Sequence, residues 1–427
     1  MIHVFYLHIV HSWIGDGRDR ELLIDSARLG RLLTEMGDVG RRPGFKGVTR
    51  LALSEEDGKA RDLLIQWMEE EHLKVSIDSI GNIFGVRKGS KPDLKPIIMG
   101  SHLDTVIDAG IYDGAYGVLG ALEVIKRLDD EGIETRHPLA LGCFTNEEGV
   151  RFQPDMMGSL VKTGGYPLEK AYEQKDDAGV TVKEALQKIG YLGSDNIEPE
   201  AYFELHIEQG PILHRHGFQI GVVEGVQGIA WWRIRFRGEA NHAGTTPLNM
   251  RRDAMEGTAD LYRNLLDSVK QRGNALCTMG KLNLEPNAIN VVPGLADFTI
   301  DYRSYDDTTF RDGKADVERI ANETSQSHKL KLEKDVIADA KPVHFRPKMV
   351  ELVEDEARRR GYSTLRLPSG AGHDAQFMHT ICPTAMIFVP SINGVSHSPE
   401  ERSEQVDLER GVNVLLSCAL SLAGVDA

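Results

Sequence analysis

The sequence predicts an α/β fold interrupted by a smaller α+β module, and three observations carry that expectation. Two apolar runs, PIIMGSHLDT and LALGCFTNEEG, each close in polar residues, as strands buried on both faces do. Segments with helical periodicity alternate with them, which implies helices layered on a sheet. From about Gly217 the order becomes β-β-α-β-β-α-β, that of a ferredoxin-like sandwich with helices on one face, and after Pro342 the α/β pattern resumes. A chain of 427 residues exceeds one ordinary core. The expected division is an extension over 1–20, a main domain over 21–217 and 342–427, and an inserted domain over 218–341.

Taken in order, apolar residues crowd one side of Glu21–Glu35, predicting a helix. A second helix spans Glu55–His72, with Ser54 as its N-cap. VSIDSIGNIFGVRKG alternates and breaks at Gly81, as a hairpin does. After the first buried strand comes a helix over Gly117–Leu128, then the second buried strand. The inserted module reads as two strands in IGVVEGVQGIAWWRIRFRGEA, a helix over Arg251–Gln271, strands around LCTMGKLNLE and LADFTIDYRS, a helix over Thr308–His328 and the strand LKLEKDV. A helix over Lys348–Arg360, the strand TAMIFVP and a closing helix over Asp407–Ala423 complete the main domain.

The opening MIHVFYLHIV is apolar but too short to span a bilayer, lacks a basic leader region and is followed by charged GDGRDR. It reads as a dispensable extension, and the protein as cytoplasmic with no membrane partner. A net charge of −15 argues against a nucleic-acid partner, which needs clustered Lys and Arg. An anionic small molecule remains compatible, because a local pocket can oppose the global field. Four widely spaced cysteines without a CxxC pair fit reduced thiols.

Chemistry-bearing residues collect where the apolar runs end. His102 and Asp104 stand two apart at the close of PIIMGSHLDT, a spacing that suits a histidine ligand oriented by a carboxylate. Asp113 follows in GIYDGAYG, Glu147 and Glu148 end the next run, His206 sits in YFELHIEQG and His397 in GVSHSPEE. Singly, each of these is as well read as a hydrogen-bonded structural histidine or a solvated turn. Jointly, they stand at the strand edge where α/β folds bind ligands and make a donor set for Zn²⁺ or Mn²⁺. Two ions roughly 3.5 Å apart would require one bridging carboxylate. In the inserted module, His242 stands among Asn, Ala and Gly, with the backbone room an oxyanion donor needs. Arg303 ends an alternating strand, where it either grips a substrate carboxylate or pairs with Asp301 or Asp306. His214, His216, His344 and His379 lack such context and read as structural.

HLDT, YDG, TNEEG, ELHIEQGP, GEANHAGTTP, SGAGHDA and INGVSHSPEE, in this order, resemble the M20-type metallopeptidase superfamily. More narrowly they resemble its carbamoylase branch of N-carbamoyl-L-amino acid hydrolases, β-ureidopropionases and allantoate amidohydrolases, from about Glu21 to the C-terminus. The resemblance implies a mixed-sheet di-metal hydrolase domain with an inserted lid and dimerisation domain, acting as a homodimer on a small ureido acid. It implies two divalent ions per subunit, Zn²⁺ or Mn²⁺, with Co²⁺ or Ni²⁺ as further candidates. His102 and Glu148 would bind individual ions, Asp113 would bridge them, and His206 and His397 would complete the set. Glu147 would be the general base and Asp104 would orient His102. His242 would stabilise the oxyanion, Asn290 and Arg303 would hold the substrate carboxylate, and Gln209 and His373 would contact the ureido group and its surroundings. An aminoacylase or peptidase reading is disfavoured by HIEQGP with Gln209, and a degenerate scaffold by the filled ligand positions.

Overall fold

The computed structural model describes residues 22–425, so Glu21 and the extension over 1–20 lie outside the described residues. Two compact units divide the chain, one built from residues up to Glu224 and from Phe345 onward, the other from Gly225–His344.

The larger unit is organised by four parallel strands. Ile97–His102 pairs in parallel with Leu139–Phe144 on one side and Ala201–Ile207 on the other, and Ala201–Ile207 pairs in parallel with Thr384–Val389. Every residue of these four strands is buried, which explains their unbroken apolar runs. Antiparallel strands flank them. Ile83–Arg87 pairs with Leu139–Phe144 and, as a hairpin, with Lys74–Ile77. At the other side Ile220–Val226 pairs with Thr384–Val389, Met386 standing opposite Val223. The Ala115–Asp130 helix buries nearly its whole surface against this sheet and the closing helix, Gln405–Ala423.

The boundary near Gly217 needs correction. The sequence reading gives both strands of IGVVEGVQGIAWWRIRFRGEA to the inserted module, but Ile220–Val226 belongs to the large sheet and the division falls at Glu224/Gly225. Burial shows why: Ile220–Val226 is covered on both faces, whereas Gly228–Arg237 alternates buried and open. The first helix also starts later than its periodicity suggests, at Ser26, because the Asp25 side chain accepts from the Arg28 N–H and caps it there. Ser54 caps the Glu55–Glu70 helix as expected.

In the smaller unit the strand order is Leu282–Glu285, Leu295–Ser304, Gly228–Arg237, Lys331–Ala340, with Ala275–Thr278 also pairing Leu295–Ser304. Helices Ala254–Arg272 and Asp307–Ser327 share one core with the buried faces of these strands, where Trp232, Phe236 and Phe298 meet Leu261, Leu265 and Phe310. The opposite sheet face carries a ladder of ion pairs, Arg233 to Asp297, Arg235 to Asp335 and Arg237 to Glu333. Among the described residues no helix is long and apolar enough to cross a membrane.

Candidate metal centre

The carboxyl ends of the four parallel strands deliver one cluster of side chains. His102 is the last residue of its strand and His206 the penultimate residue of its own. Glu147 and Glu148 lie in the turn after Leu139–Phe144, and His397 in the loop after Thr384–Val389. Asp113 precedes the Ala115–Asp130 helix. Strand ends in a parallel sheet leave such loops facing a common crevice, which is where ligands of α/β folds sit.

Asp113 is the centre of this cluster. Its Oδ1 lies 3.2 Å from His206 Nε2 and 3.6 Å from His102 Nε2, while its Oδ2 lies 3.2 Å from His397 Nε2. His397 Nε2 is in turn 3.4 Å from Glu148 Oε2. Two groups result, His102–Asp113–His206 and Asp113–Glu148–His397, each with ligand atoms within 4.8 Å of one another, and both use Asp113. The side chains fit divalent cations in three respects. His102 Nδ1 contacts the Asp104 carbonyl at 2.9 Å and His206 Nδ1 the Ile207 carbonyl at 2.9 Å, so each Nδ1 carries its proton. Their Nε2 atoms therefore face the Asp113 carboxylate, a position where either a second proton on each ring or a bound cation supplies the opposing positive charge. Glu148 Oε1 is buried with no hydrogen-bond partner. Finally, imidazole and carboxylate donors are those of Zn²⁺ and Mn²⁺ sites.

The electrostatics of the protein alone show the same need for positive charge. Burial by itself would raise the Asp113 carboxyl, but hydrogen bonds from His102, His206 and His397 outweigh it and hold the group well below the ordinary range. Burial, reinforced by Asp113, pushes Glu148 up to about 8. Glu147 is pushed well above the usual value, chiefly by burial and by Glu148 and Asp374 nearby, although His102 opposes this. The hydrogen bond to Asp113, with Glu148 beside it, raises His397 to about 9. Glu148 therefore retains a proton at neutral pH that a bound cation would displace.

Two expected roles change on inspection. The Asp104 carboxylate does not reach His102, since Oδ1 is 3.9 Å from Nδ1. It accepts instead from the backbone N–H groups of Glu147 and Glu148, at 3.1 and 3.2 Å, and the main-chain carbonyl of Asp104 orients His102. The strand ends at His102, so the chain turns before Asp104 and the two side chains no longer share a face. His373 is 1 % exposed, with its ring 4.6 Å from that of His206 and its Nε2 2.9 Å from Ser369 Oγ. Burial and the neighbouring His206 hold it well below the usual histidine value. It backs the ring of His206 and offers almost no surface to a ureido group. Gln209 does reach the cluster, its Nε2 donating to Asp113 Oδ2 at 2.8 Å from a left-handed backbone, φ 58°.

The remaining predicted residues lie in the smaller unit. His242 pairs with Val291 in a two-stranded ribbon, and Ala243 N–H donates to the Asn290 carbonyl at 3.0 Å, which brings His242 and Asn290 side by side. His242 Nδ1 accepts from the N–H groups of Gly244 and Thr245 at 3.0 and 3.2 Å, so the proton resides on the exposed ring's Nε2. Arg303 binds Asp301 in a bidentate contact through its Nε and Nη2, at 3.0 and 2.8 Å, one of the two pairings that the sequence left open. Sequence reasoning missed Glu204, Asp374 and Glu401, all buried around the cluster, although each sits in or beside a quoted motif.

A cluster of imidazoles and carboxylates at parallel strand ends, compatible with divalent cations, beside a separate α+β sandwich unit, fits a hydrolase of the M20 type. The chain belongs to peptidase family M20/M25/M40, whose model matches residues 98–421. It is 36% identical over 413 residues to an N-carbamoyl-L-amino acid amidohydrolase of Geobacillus stearothermophilus, covering 94% of this chain and 99% of that protein. An allantoate amidohydrolase of Bacillus subtilis is 33% identical, covering 88% of this chain and 93% of its own length. Among solved structures, an amidase of the hydantoinase/carbamoylase family from Burkholderia multivorans superposes with a TM-score of 0.91 at 40% identity, covering 94% of this chain and 98% of that one. The protein is thus a hydrolase of carbon–nitrogen amide bonds.

Gly114 tests the geometry of the cluster. Its φ is +62°, and a Cβ there would lie 2.4 Å from His102 Cε1. Gly114→Ala is expected to displace His102 and to weaken Zn²⁺ binding by about tenfold or more, within the range for disturbing a ligand's support. Unchanged affinity in a titration of folded variant would show that His102 is not a ligand.

Proposed function

We propose that the protein hydrolyses N-carbamoyl-L-amino acids to the amino acid, CO₂ and ammonia, using two divalent ions per chain. The observation that carries this is the pair of three-residue groups sharing Asp113, in a chain whose full-length relatives include N-carbamoyl-L-amino acid amidohydrolases. In this reading His102 and His206 would hold one ion, Glu148 and His397 would hold the other, and Asp113 would be shared between them. Zn²⁺ or Mn²⁺ suits the donor set, with Co²⁺ or Ni²⁺ as substitutes. Such a pair would polarise the scissile carbonyl and make water acidic enough to attack near neutral pH.

Glu147 is the residue suited to move the proton. It is 8 % exposed, its Oε2 is 3.4 Å from His102 Nε2, and the Asp104 carboxylate anchors its backbone N–H. It takes a proton from water as the oxygen adds to the ureido carbon, then delivers it to the departing nitrogen as the C–N bond breaks. The carbamate that remains loses CO₂. His242, with its proton on Nε2, supplies a donor to the oxyanion, and Asn290 and Arg303 bind the substrate carboxylate. Gln209 presents its Oε1, buried and without a hydrogen-bond partner, to the ureido nitrogen. Reduced cysteines among the described residues agree with a cytoplasmic setting. The second reading, allantoate hydrolysis, is favoured by the Bacillus subtilis relative.

Replacing Glu147 by Gln is expected to preserve fold and ion content while lowering turnover by about 10²–10⁴-fold. A variant within a few-fold of wild type would remove Glu147 from the role of base.

Substrate class is tested by ammonia release from a panel of N-carbamoyl-L-amino acids, N-carbamoyl-β-alanine and allantoate, with Arg303→Ala run in parallel. N-carbamoyl-L-amino acids are expected to be the best substrates. Their KM should rise at least about tenfold in the variant, since hydrogen bonds to charged groups contribute about 1.5–3 kcal/mol. The corresponding substrate amides should be poor with both proteins. Equal losses for acid and amide would leave Arg303 as the partner of Asp301 only, and preference for allantoate would select the second reading.

We further expect a homodimer joined through the smaller unit, where Leu276, Leu282, Val336 and Ile337 are exposed on or beside open strand edges. If His242 acts across the dimer, mixing Glu147→Gln with His242→Ala subunits should restore activity, because one composite site per heterodimer is intact. No recovery despite demonstrated subunit exchange would confine His242 to its own chain.

A further inference from the structure

Glu401 stands behind the cluster without touching a histidine, and its contacts join the two halves of the site. The residue is 4 % exposed. Its Oε1 accepts from the backbone N–H groups of Tyr112 and Asp113, at 3.1 and 3.2 Å. Its Oε2 accepts from Ser396 Oγ at 2.8 Å, and that same hydroxyl lies 3.2 Å from Asp113 Oδ2. Ser396 immediately precedes His397, whose backbone is left-handed at φ 53°. One carboxylate therefore fixes the turn that carries Asp113 and the loop that carries His397, which are more than 280 residues apart in sequence, as the Asp113–Glu401 separation of 288 shows.

The backbone makes room for this contact. A Cβ on Gly110 would lie 2.2 Å from Glu401 Oε1, so the turn before Asp113 can approach the carboxylate only because position 110 lacks a side chain. The arrangement also has a direction. His102 and His206 sit on or at the ends of buried parallel strands and are oriented by main-chain carbonyls of their own segments. His397 has no such anchor: its side chain is 49 % exposed and it lies in a loop. The Asp113–Glu148–His397 group thus depends on an external clamp in a way that the His102–Asp113–His206 group does not.

From this geometry we infer that Glu401, acting through Ser396, is a positioning residue for the Asp113–Glu148–His397 ion position. It sets which way Asp113 Oδ2 faces and how close His397 stands to it, while the His102–His206 position is built by the strands themselves. The inference rests on the two-ion reading above. Supporting residues of this kind typically change metal affinity by about 10–100-fold.

The test is a calorimetric titration of metal-free protein with Zn²⁺, with ions per chain counted by mass spectrometry after dialysis. Wild type, Glu401→Ala, Glu401→Gln and Ser396→Ala are compared. Wild type should retain two ions. Glu401→Ala should retain one, with the tighter site near its wild-type affinity and the weaker site reduced at least about tenfold. Ser396→Ala leaves the Tyr112 and Asp113 amide contacts in place, so it should show a smaller loss at the same site and serves if Glu401→Ala fails to fold. Glu401→Gln keeps one acceptor for the amides and should fall between them. Two ions bound with unchanged affinities in Ser396→Ala and in either folded Glu401 variant would overturn the inference alone. A parallel loss at both sites would also overturn it, as a general loosening of the cluster. Wild type that binds a single ion would instead overturn the two-ion reading, and this inference with it.

Discussion

The centre of this protein depends on burying the Asp113 carboxylate between three imidazoles. A charge taken from water must be compensated locally, and here the compensation comes from His102, His206 and His397 on three different chain segments. The requirement is geometric as well as electrostatic. Asp113 Oδ1 faces both His102 and His206, so the strands that bear those two histidines must end at the same level. The parallel register of Ile97–His102 and Ala201–Ile207 supplies that alignment, and their all-buried sequences lock it.

Around the centre lies a shell of buried polar groups that tie one strand end to another. Glu204 accepts from Ser101 Oγ and from the Ala375 N–H, both at 2.8 Å, joining the segments of His102, His206 and His373. Asp104 fastens the Glu147–Glu148 turn. Two buried arginines brace the outside of the same region. Arg50 donates to the carbonyls of Leu103, Met36 and Val39, and Arg61 binds Asp57, the Gly81 carbonyl and Thr145. Such networks specify one arrangement because a misplaced member would leave a buried polar group without a partner.

The sequence displayed the parts that follow from local periodicity and failed where distant contacts decide. The strands ending at His102 and near Glu147 were legible because both faces are buried and the apolar run is unbroken. His102, Asp113, Glu148, His206 and His397 were legible as a donor set because each stands where such a run stops. The role of the Asp104 carboxylate was not, since a turn of the chain immediately after His102 redirects it. Nor could spacing reveal that His373 is covered or that Glu401 meets Asp113 across 288 residues. Strand Ile220–Val226 was assigned to the wrong unit because its antiparallel partner, Thr384–Val389, lies more than 150 residues later in the chain.

The chain enters and leaves the smaller unit at one place. Val226 pairs with Val343 and Gly225 with His344, so the outgoing and returning backbones run side by side. Closely spaced ends of this kind are what allow a module to be inserted into another fold. Everything between them behaves as a cassette with respect to the large sheet, whose parallel strands all lie outside residues 225–344. The imidazoles and carboxylates of the cluster belong to the frame, and His242, Asn290 and Arg303 belong to the cassette. The donor cluster and the cassette's side chains are therefore written in separate stretches of sequence, and a lineage can revise the second while inheriting the first unchanged.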